Sequence, residues 1–355
     1  MKRDIQELPA IENMRCAPER CIAMYNAYWS RWLASLVEGV RAHGFMLTTD
    51  RPETLARGFS DDEFAGAVAA AFTDNEVPDA AQQTRLAEHI RTGRAHRTAY
   101  ALAGAASAMG FAFTTQSTGA ESVEVSSSEF FMRYAEQVRY DMGAMLEEMA
   151  RVLSVFGLYF VRARGPSVAP LHLASPKPVA RAMYAIDARR DTPRLSAKEL
   201  EAEVAMRVAE GGGNELLAAG LEVMREAGYE IAAHTDERAR WDRSDLSALY
   251  QRFKWHHDRV EWHRFLEGCD EALTRCGLRL VEDGDAHAKP TQEEVVALGQ
   301  ALLCAHLRYQ FSELEAVKVD KTIAQWTREG LTRLSGQWLL GALADNGLFL
   351  ERIPS

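Results

Sequence analysis

The most unusual chemistry in the chain lies in a histidine-rich run at positions 254–263, which reads Lys-Trp-His-His-Asp-Arg-Val-Glu-Trp-His. In a helix, His257 and Glu261 are four residues apart and share one face, so they can offer two ligands to a metal ion. A catalytic metal needs a third ligand, and the sequence has no second HxxxE, HExxH or ExxH pair. An ion pair between His257 and Glu261 is therefore favoured over a metal site, and we expect no cofactor.

The same run contains aromatic residues that suit a protein interface. Apolar positions shift there from one helix face (Leu246, Leu249, Phe253, Val260) to another (Trp255, Trp262, Leu266, Cys269, Leu273). Two faces buried in succession indicate two neighbours, or a partner that covers one face. The candidate interface residues are Trp255, His256, His257 and Trp262. Packing in the protein's own core is the favoured alternative.

Two clusters of basic residues are candidate nucleic-acid contacts. The first consists of Arg85, Arg91, Arg94 and Arg97, with His89 and His96 between them. Arg91 and Arg94 share a face if one helix continues through Gly93, and phosphates bind such clusters. The second consists of Lys177, Arg181, Arg189 and Arg190 in a proline-rich stretch, 164–194, predicted to be irregular apart from a short helix near 179–186. Solvated surface is the favoured alternative for both.

The net charge of −10 restricts these possibilities, because a protein that binds nucleic acid over its whole surface is normally basic. Nucleic acid would have to be bound by a local patch. Known catalytic signatures are also missing, since the chain has no Walker A loop, no GxGxxG after a strand and no GxSxG. Gly211-Gly212-Gly213 lacks the lysine of a phosphate-binding loop. These absences favour a non-catalytic protein without excluding an enzyme.

The elements that would position these residues follow a repeated order. Helices end at glycines that precede short apolar runs, at Gly44, Gly110, Gly157, Gly228, Gly277 and Gly347. Their spacings alternate (66, 47, 71, 49, 70), which gives a period near 118 residues. Capping boxes begin helices at Ser60, Ser196 and Thr291. One long helix is predicted from 127 to about 156, and a strand over 121–125.

The period predicts three related units: residues 1–126, residues 127–240 with the proline-rich insert, and residues 241–355. Trp29-Ser30-Arg31-Trp32-Leu33 in the first matches Trp262-His263-Arg264-Phe265-Leu266 in the third. The order long helix, strand, capped helix, helix, strand resembles a winged-helix module. Segments 221–229 and 339–352 resemble the end of such a domain. The resemblance implies either DNA binding or protein docking. The fold class is mainly α with short β-strands.

Length and composition complete the prediction. The chain has 355 residues, 47% of them hydrophobic and 26% charged, which is typical of a globular protein. No signal peptide or membrane span is recognised, and five cysteines without a CxxC pair indicate a reducing cytoplasm. Frequent Ala and Arg suit a bacterial source. We expect a non-catalytic subunit that docks a protein partner, with a nucleic-acid-handling complex as one setting; the alternatives are direct DNA or RNA binding and a His/Glu metal enzyme.

Overall fold

The protein is mainly helical and contains three two-stranded antiparallel sheets. The computed structural model describes residues 18–49, 60–73, 79–115, 122–138, 142–163, 171, 173–233, 241, 246–281 and 288–353. Within the helices, only the backbone is described for residues 18–22, 73, 79–82, 255, 257–260 and 262–263. The predicted fold class, mainly α with short strands, is confirmed for this part of the chain.

In the first third of the chain, three helices follow one another in sequence between two strands that pair. Its elements are α1 (Pro18–Ala42), β1 (Phe45–Thr48), α2 (Asp61–Thr73), α3 (Asp79–Arg91), α4 (Arg94–Ala108) and β2 (Ala112–Thr115). β1 pairs with β2, with Phe45 opposite Thr115. Residues 122–125 do not form the predicted strand; the Val123 N–H donates one bond of 2.9 Å to the Leu47 carbonyl.

The middle third again places three helices between paired strands. Its elements are α5 (Ser127–Gln137), α6 (Met142–Val155), β3 (Tyr159–Arg162), α7 (Lys177–Asp191), α8 (Ala197–Ala209), α9 (Asn214–Glu226) and β4 (Tyr229–Ala232). The prediction of one helix over 127–156 is wrong. Phe130 and Tyr134 of α5 belong to one core and Met142 and Met145 of α6 to another, so the helix is interrupted where the chain changes cores.

The last third has the same order of elements. They are α10 (Leu246–Arg275), β5 (Leu278–Val281), α11 (Gln292–Gln310), α12 (Ala316–Arg328), α13 (Leu331–Asp345) and β6 (Phe349–Arg352). Leu278 lies opposite Arg352 in the antiparallel pair of β5 and β6. We call the helix directly before the second strand of each pair the third helix; the third helices are α4, α9 and α13.

The predicted helix ends are confirmed. All six predicted glycines have positive φ, between 61° and 90°, a conformation that costs glycine little. The capping boxes also form: the backbone N–H groups of Ser60, Ser196 and Thr291 donate to Glu63, Glu199 and Glu294 over 2.6, 2.9 and 2.7 Å. Each acidic side chain satisfies an N–H group at the start of a helix, which fixes where that helix begins.

The chain divides into two compact bodies, each made from separated stretches of sequence. The first body consists of residues 1–139, 265–305 and 320–355, and the second of residues 140–264 and 306–319. The predicted three-unit boundaries stay a prediction. α10 contributes to both cores: Leu249 and Phe253 are buried in the second body, and Leu266, Cys269 and Leu273 are buried in the first. This matches the predicted change of apolar face along the helix.

Candidate functional site

The first basic cluster is divided between two helices. Arg85 and Arg91 lie on α3, whereas Arg94 and Arg97 lie on α4. Gly93 between them has φ 80°, and its N–H donates to the Ile90 carbonyl over 3.1 Å, which ends α3. The single helix that would place Arg91 and Arg94 on one face is therefore not formed, because a left-handed residue breaks the helical path.

Two arginines of this cluster are engaged with carboxylates of the protein. Arg85 forms an ion pair with Glu329, whose side chain is only 8% exposed. Arg91 pairs with Glu88 on the preceding turn of α3 at 2.9 Å. The Arg94 side chain is exposed at the beginning of α4. Since pairing neutralises positive charge near the surface, the cluster attracts phosphate less than its composition predicts.

The two histidines of the cluster have different surroundings. Burial, together with the nearby positive charges of Arg94 and Arg85, lowers the pKa of His89 to about 4. His89 is therefore neutral at pH 7. His96 Nε2 lies 2.6 Å from a carboxylate oxygen of Asp62, so its side chain contacts an acidic group of α2.

The second basic cluster lies on a helix rather than in a loop. α7 is longer than the predicted short helix because Pro178, in its first turn, is compatible with a helix start, and Pro193 follows its end. Lys177 lies 3.4 Å from Glu313, and Arg181 pairs with Glu201. Arg189 is exposed, whereas Arg190 is partly buried. Two of the four basic side chains, those of Lys177 and Arg181, therefore contact carboxylates of the protein.

The three consecutive glycines serve packing within the second body. Gly211 has φ 88°, and a Cβ atom there would lie 2.5 Å from the backbone nitrogen of Glu313. Gly213 has φ 85°, and its Cβ would lie 2.4 Å from the Ala180 carbonyl oxygen. The Glu313 N–H donates to the Glu210 carbonyl over 3.0 Å. Glycine is needed because the backbones approach closely.

The histidine-rich run belongs to α10, and one of its histidines has a defined partner. His256 is buried, and its Nε2 atom lies 2.9 Å from a carboxylate oxygen of Glu226 at the end of α9. The side chains of Trp255, His257 and Trp262 lie outside the described residues, and so does the proposed His257–Glu261 pair. No group of three possible metal ligands occurs among the residues that the structure describes.

Side-chain hydrogen bonds and an ion pair join α13 to α1. The Tyr28 hydroxyl of α1 and the Ser335 hydroxyl of α13 form a buried hydrogen bond of 2.7 Å. The Trp338 indole N–H donates to the Ser35 hydroxyl over 3.1 Å. Arg31 forms a two-pronged ion pair with Asp345, with its closest distance at 2.7 Å. The face of α13 toward α1 therefore carries three polar contacts.

An aromatic cluster strengthens this contact. The Tyr28 ring packs against Phe265, Trp29 and Trp338, with centroid distances of 5.1, 5.3 and 6.0 Å. Burial raises the pKa of Tyr28 to about 12, so its hydroxyl stays protonated at pH 7. Sequence reasoning named Trp29 and Phe265 only in the repeated aromatic phrase and missed Tyr28, Ser335 and Trp338. The available signal was that Tyr25, Tyr28, Trp29 and Trp32 are spaced i, i+3, i+4 and i+7 and share one face of α1, which indicates that this face is buried.

The third helices α9 and α4 also contact other helices of their own compact bodies. In the second body, α9 contacts α10 through Glu226 and His256, and Phe253 of α10 packs against Gly220. In the first body, α4 packs against α5, where Gly104 lies against the Gln137 side chain. Tyr100, nearer the beginning of α4, is 77% exposed.

Comparison of the chain with protein-family models, with curated proteins and with solved structures gave no match. In the part of the chain that the structure describes, no helix has both the length and the apolar character needed to cross a bilayer.

Proposed function

We propose that the chain consists of three repeated, winged-helix-like units and works as a non-catalytic adaptor that docks a protein partner. The first support for the repeat is the shared order of strand, three helices and strand in each third of the chain. In each case, a glycine with positive φ immediately precedes the third helix; these are Gly93, Gly213 and Gly330.

The burial pattern of the third helices also supports a repeat. In α4, α9 and α13, the residues 12, 11, 8, 5 and 4 positions before the closing glycine (Gly110, Gly228 or Gly347) are all buried. This spacing defines one helix face. The side chains at these positions differ in the three helices, so the match lies in their packing rather than in their identity.

A backbone hydrogen bond recurs at matching positions. Val123, which is 13 residues after Gly110, donates to the carbonyl of Leu47, three residues after Gly44. Trp241, which is 13 residues after Gly228, donates to the carbonyl of Phe160, three residues after Gly157. Both bonds are 2.9 Å long. The same connection to the first strand is expected if the two thirds descend from one unit.

The observation that carries the adaptor function is the contact between α13 and α1. In a DNA-binding winged helix, the third helix is the recognition helix, and its outward face must be free to enter the major groove. In α13, Ser335 belongs to the buried face described above, and Trp338 and Asp345 beside that face also bond to α1. A helix that is flanked in this way by another helix has less room to enter a groove of DNA, which favours protein recognition.

The charge on the other two third helices supports the same conclusion. The partly exposed side of α9 carries Glu215, Glu222 and Glu226, and Arg225 pairs with Glu222. Such a surface repels phosphate. Only α4 has an exposed arginine and an exposed aromatic residue toward its beginning, at Arg94 and Tyr100. We therefore place the partner site on this half of α4.

Direct binding of DNA or RNA is the second candidate, and the same residues favour it. The beginning of a recognition helix contacts base edges in helix-turn-helix proteins, and α4 presents Arg94, Arg97 and Tyr100 there. The ion pairs of Arg85 and Arg91 and the net charge of −10 weigh against it.

The test replaces Tyr100 with a photoreactive benzoylphenylalanine in the full-length chain, followed by irradiation in the native host. We expect an adduct of defined mass that resists nuclease and is destroyed by protease treatment of the partner. The matched control carries the same group at Phe156, which is also exposed (54%) but lies in the second body, and should give no such adduct. A nuclease-sensitive adduct at Tyr100 would support nucleic-acid binding, and no adduct would exclude docking at α4.

A further inference from the structure

The first compact body contains a pocket between α1, β1, β2 and α5 whose volume is about 230 Å³. Apolar side chains from all four elements line it: Leu33, Val37, Phe45, Leu47, Phe113 and Phe130. All of these except Val37 are buried, so the pocket reaches into the core. The pocket is also open to solvent on one side, so a small molecule can enter it.

The volume limits what can bind. A cavity of roughly 150 Å³ lined by aliphatic and aromatic side chains binds benzene. The present pocket is about one and a half times that size, which matches the ratio of heavy atoms in a two-ring aromatic system such as indole to those in benzene. The three phenylalanines in the lining offer faces and edges to such a ring.

The entrance determines the polar character of the ligand. The exposed polar residues of the lining mark the entrance: Glu38, Arg41, Ser122, Glu124 and Ser127. The Arg41 guanidinium lies 3.7 Å from the Glu38 carboxylate, which offsets its charge. The Glu124 carboxylate then leaves the entrance with a net negative charge and several hydrogen-bond acceptors. A ligand with an N–H or O–H donor is favoured, and an anion is repelled.

We propose that this pocket binds a neutral two-ring aromatic molecule with one hydrogen-bond donor, of the indole class. The rings occupy the apolar interior, and the donor points toward the carboxylates of Glu38 and Glu124. This inference is independent of the adaptor function, because it rests on the pocket alone and not on the outward faces of the third helices.

The test is calorimetric titration of the full-length protein with indole, benzothiophene and indole-3-acetate, supported by saturation-transfer NMR. We expect the protein to bind indole, a ligand that matches the size of this preformed pocket, with a dissociation constant on the order of 0.1 mM. Benzothiophene has a similar shape without the N–H, and indole-3-acetate carries a carboxylate; both should bind at least about fivefold more weakly than indole.

The decisive variants are Ala34→Phe, which fills the pocket, and Ala34→Leu, a smaller change for use if the first variant does not fold. Either should abolish indole binding. Ala42→Phe is the matched control, because Ala42 is exposed on the same helix and does not line the pocket; it should bind indole as the original chain does. Failure of the original chain to bind indole at millimolar concentration, or unchanged binding to the folded Ala34 variants, would overturn the proposal. The crosslinking outcome at Tyr100 is expected to be the same in either case.

Discussion

The contacts that α13 and α4 make with neighbouring helices, both in the first compact body, differ in the side chains that form them. On α13, the contact with α1 extends from Ser335 to Asp345 and includes a buried hydroxyl pair, an indole donor and a two-pronged ion pair. On α4, the short helix α5 packs at Gly104, while Tyr100 remains 77% exposed.

This difference shows that similar helix packing can leave different surfaces available. The inward faces of α4 and α13 are buried at matching positions, so both helices are held by the core in the same way. Beside these buried faces, α13 bonds to α1 through Trp338 and Asp345, whereas Tyr100 on α4 is exposed. The proposed partner site uses this exposed part of α4.

The largest expected difference in stability is between truncation of Tyr28, in the α13–α1 contact, and truncation of Tyr100, on α4. Tyr28→Ala removes a buried ring and its hydroxyl contact, and should lower the free energy of unfolding by about 3–5 kcal/mol. Tyr100→Ala removes an exposed ring and should change it by less than about 0.5 kcal/mol. Urea denaturation followed by circular dichroism measures both. Equal effects of the two substitutions would contradict the assignment of Tyr28 to the α13–α1 contact.

Replacement of a glycine by alanine should destabilise the protein in α13 but not in α4. A Cβ atom at Gly336 would lie 2.0 Å from the Val295 carbonyl oxygen, so Gly336→Ala forces backbones apart and should cost about 1–3 kcal/mol. At Gly104, the nearest atom is the end of the Gln137 side chain at 2.7 Å, which can turn away. Gly104→Ala should therefore be neutral or stabilise α4 by up to about 1 kcal/mol, because alanine favours helix. Thermal unfolding of both variants provides the measurement, and a large loss in Gly104→Ala would show that α5 holds α4 tightly.

Alkaline pH should weaken the α13–α1 contact selectively. Burial raises the pKa of Tyr28 to about 12 in the folded chain, above the unperturbed value of about 10. The unfolded chain loses this proton first, so the stability that is fully present below pH 10 decreases as pH rises toward 12. At pH 11 the loss is about 1.4 kcal/mol.

The loss can be isolated by comparison with Tyr28→Phe, which has no proton to release. Between pH 9 and pH 11, the free energy of unfolding of the original chain should fall further than that of Tyr28→Phe by about this amount. Tyr100→Phe should follow the original chain, because its ring is exposed. Parallel pH profiles for the original chain and Tyr28→Phe would show that Tyr28 ionises normally.

The smallest effect is expected from the ion pair between Arg31 and Asp345. Their side chains are 39% and 49% exposed, and exposed pairs contribute at most about 1 kcal/mol. Arg31→Ala should lower the free energy of unfolding by this amount or less, and the loss should shrink at 1 M salt. Arg94→Ala, at the exposed beginning of α4, should have no measurable effect on stability. A salt-insensitive loss of several kcal/mol at Arg31 would instead indicate that its packing against Gly341 dominates.

The sequence predicted local features well because they depend on nearby residues. Ser60, Ser196 and Thr291 each precede an acidic residue by three positions, and each forms its capping box. Gly44 and Gly277 end helices because a left-handed residue is needed at those points, and glycine adopts it most easily.

Contacts distant in sequence were not predictable in the same way. Tyr28 and Ser335 are 307 positions apart, and nothing in either local stretch identifies the other as a partner. Arg85 and Arg91 looked like phosphate ligands because Glu329 is remote in sequence and because spacing alone does not reveal that Glu88 pairs with Arg91. The break after α5 was missed because it occurs where the chain passes from one core to another, which depends on the fold as a whole.

One measurement distinguishes most directly between docking of a protein partner and direct binding of nucleic acid. A fluorescent DNA duplex is titrated with the full-length chain at several salt concentrations, and its fluorescence anisotropy is recorded. We predict only weak, nonspecific binding at 150 mM salt, with dissociation constants above about 1 µM and a salt dependence unchanged in the Arg94→Ala, Arg97→Ala double variant. Submicromolar binding whose salt slope falls by about 2 in the double variant would contradict the account, because it would make α4 a recognition helix.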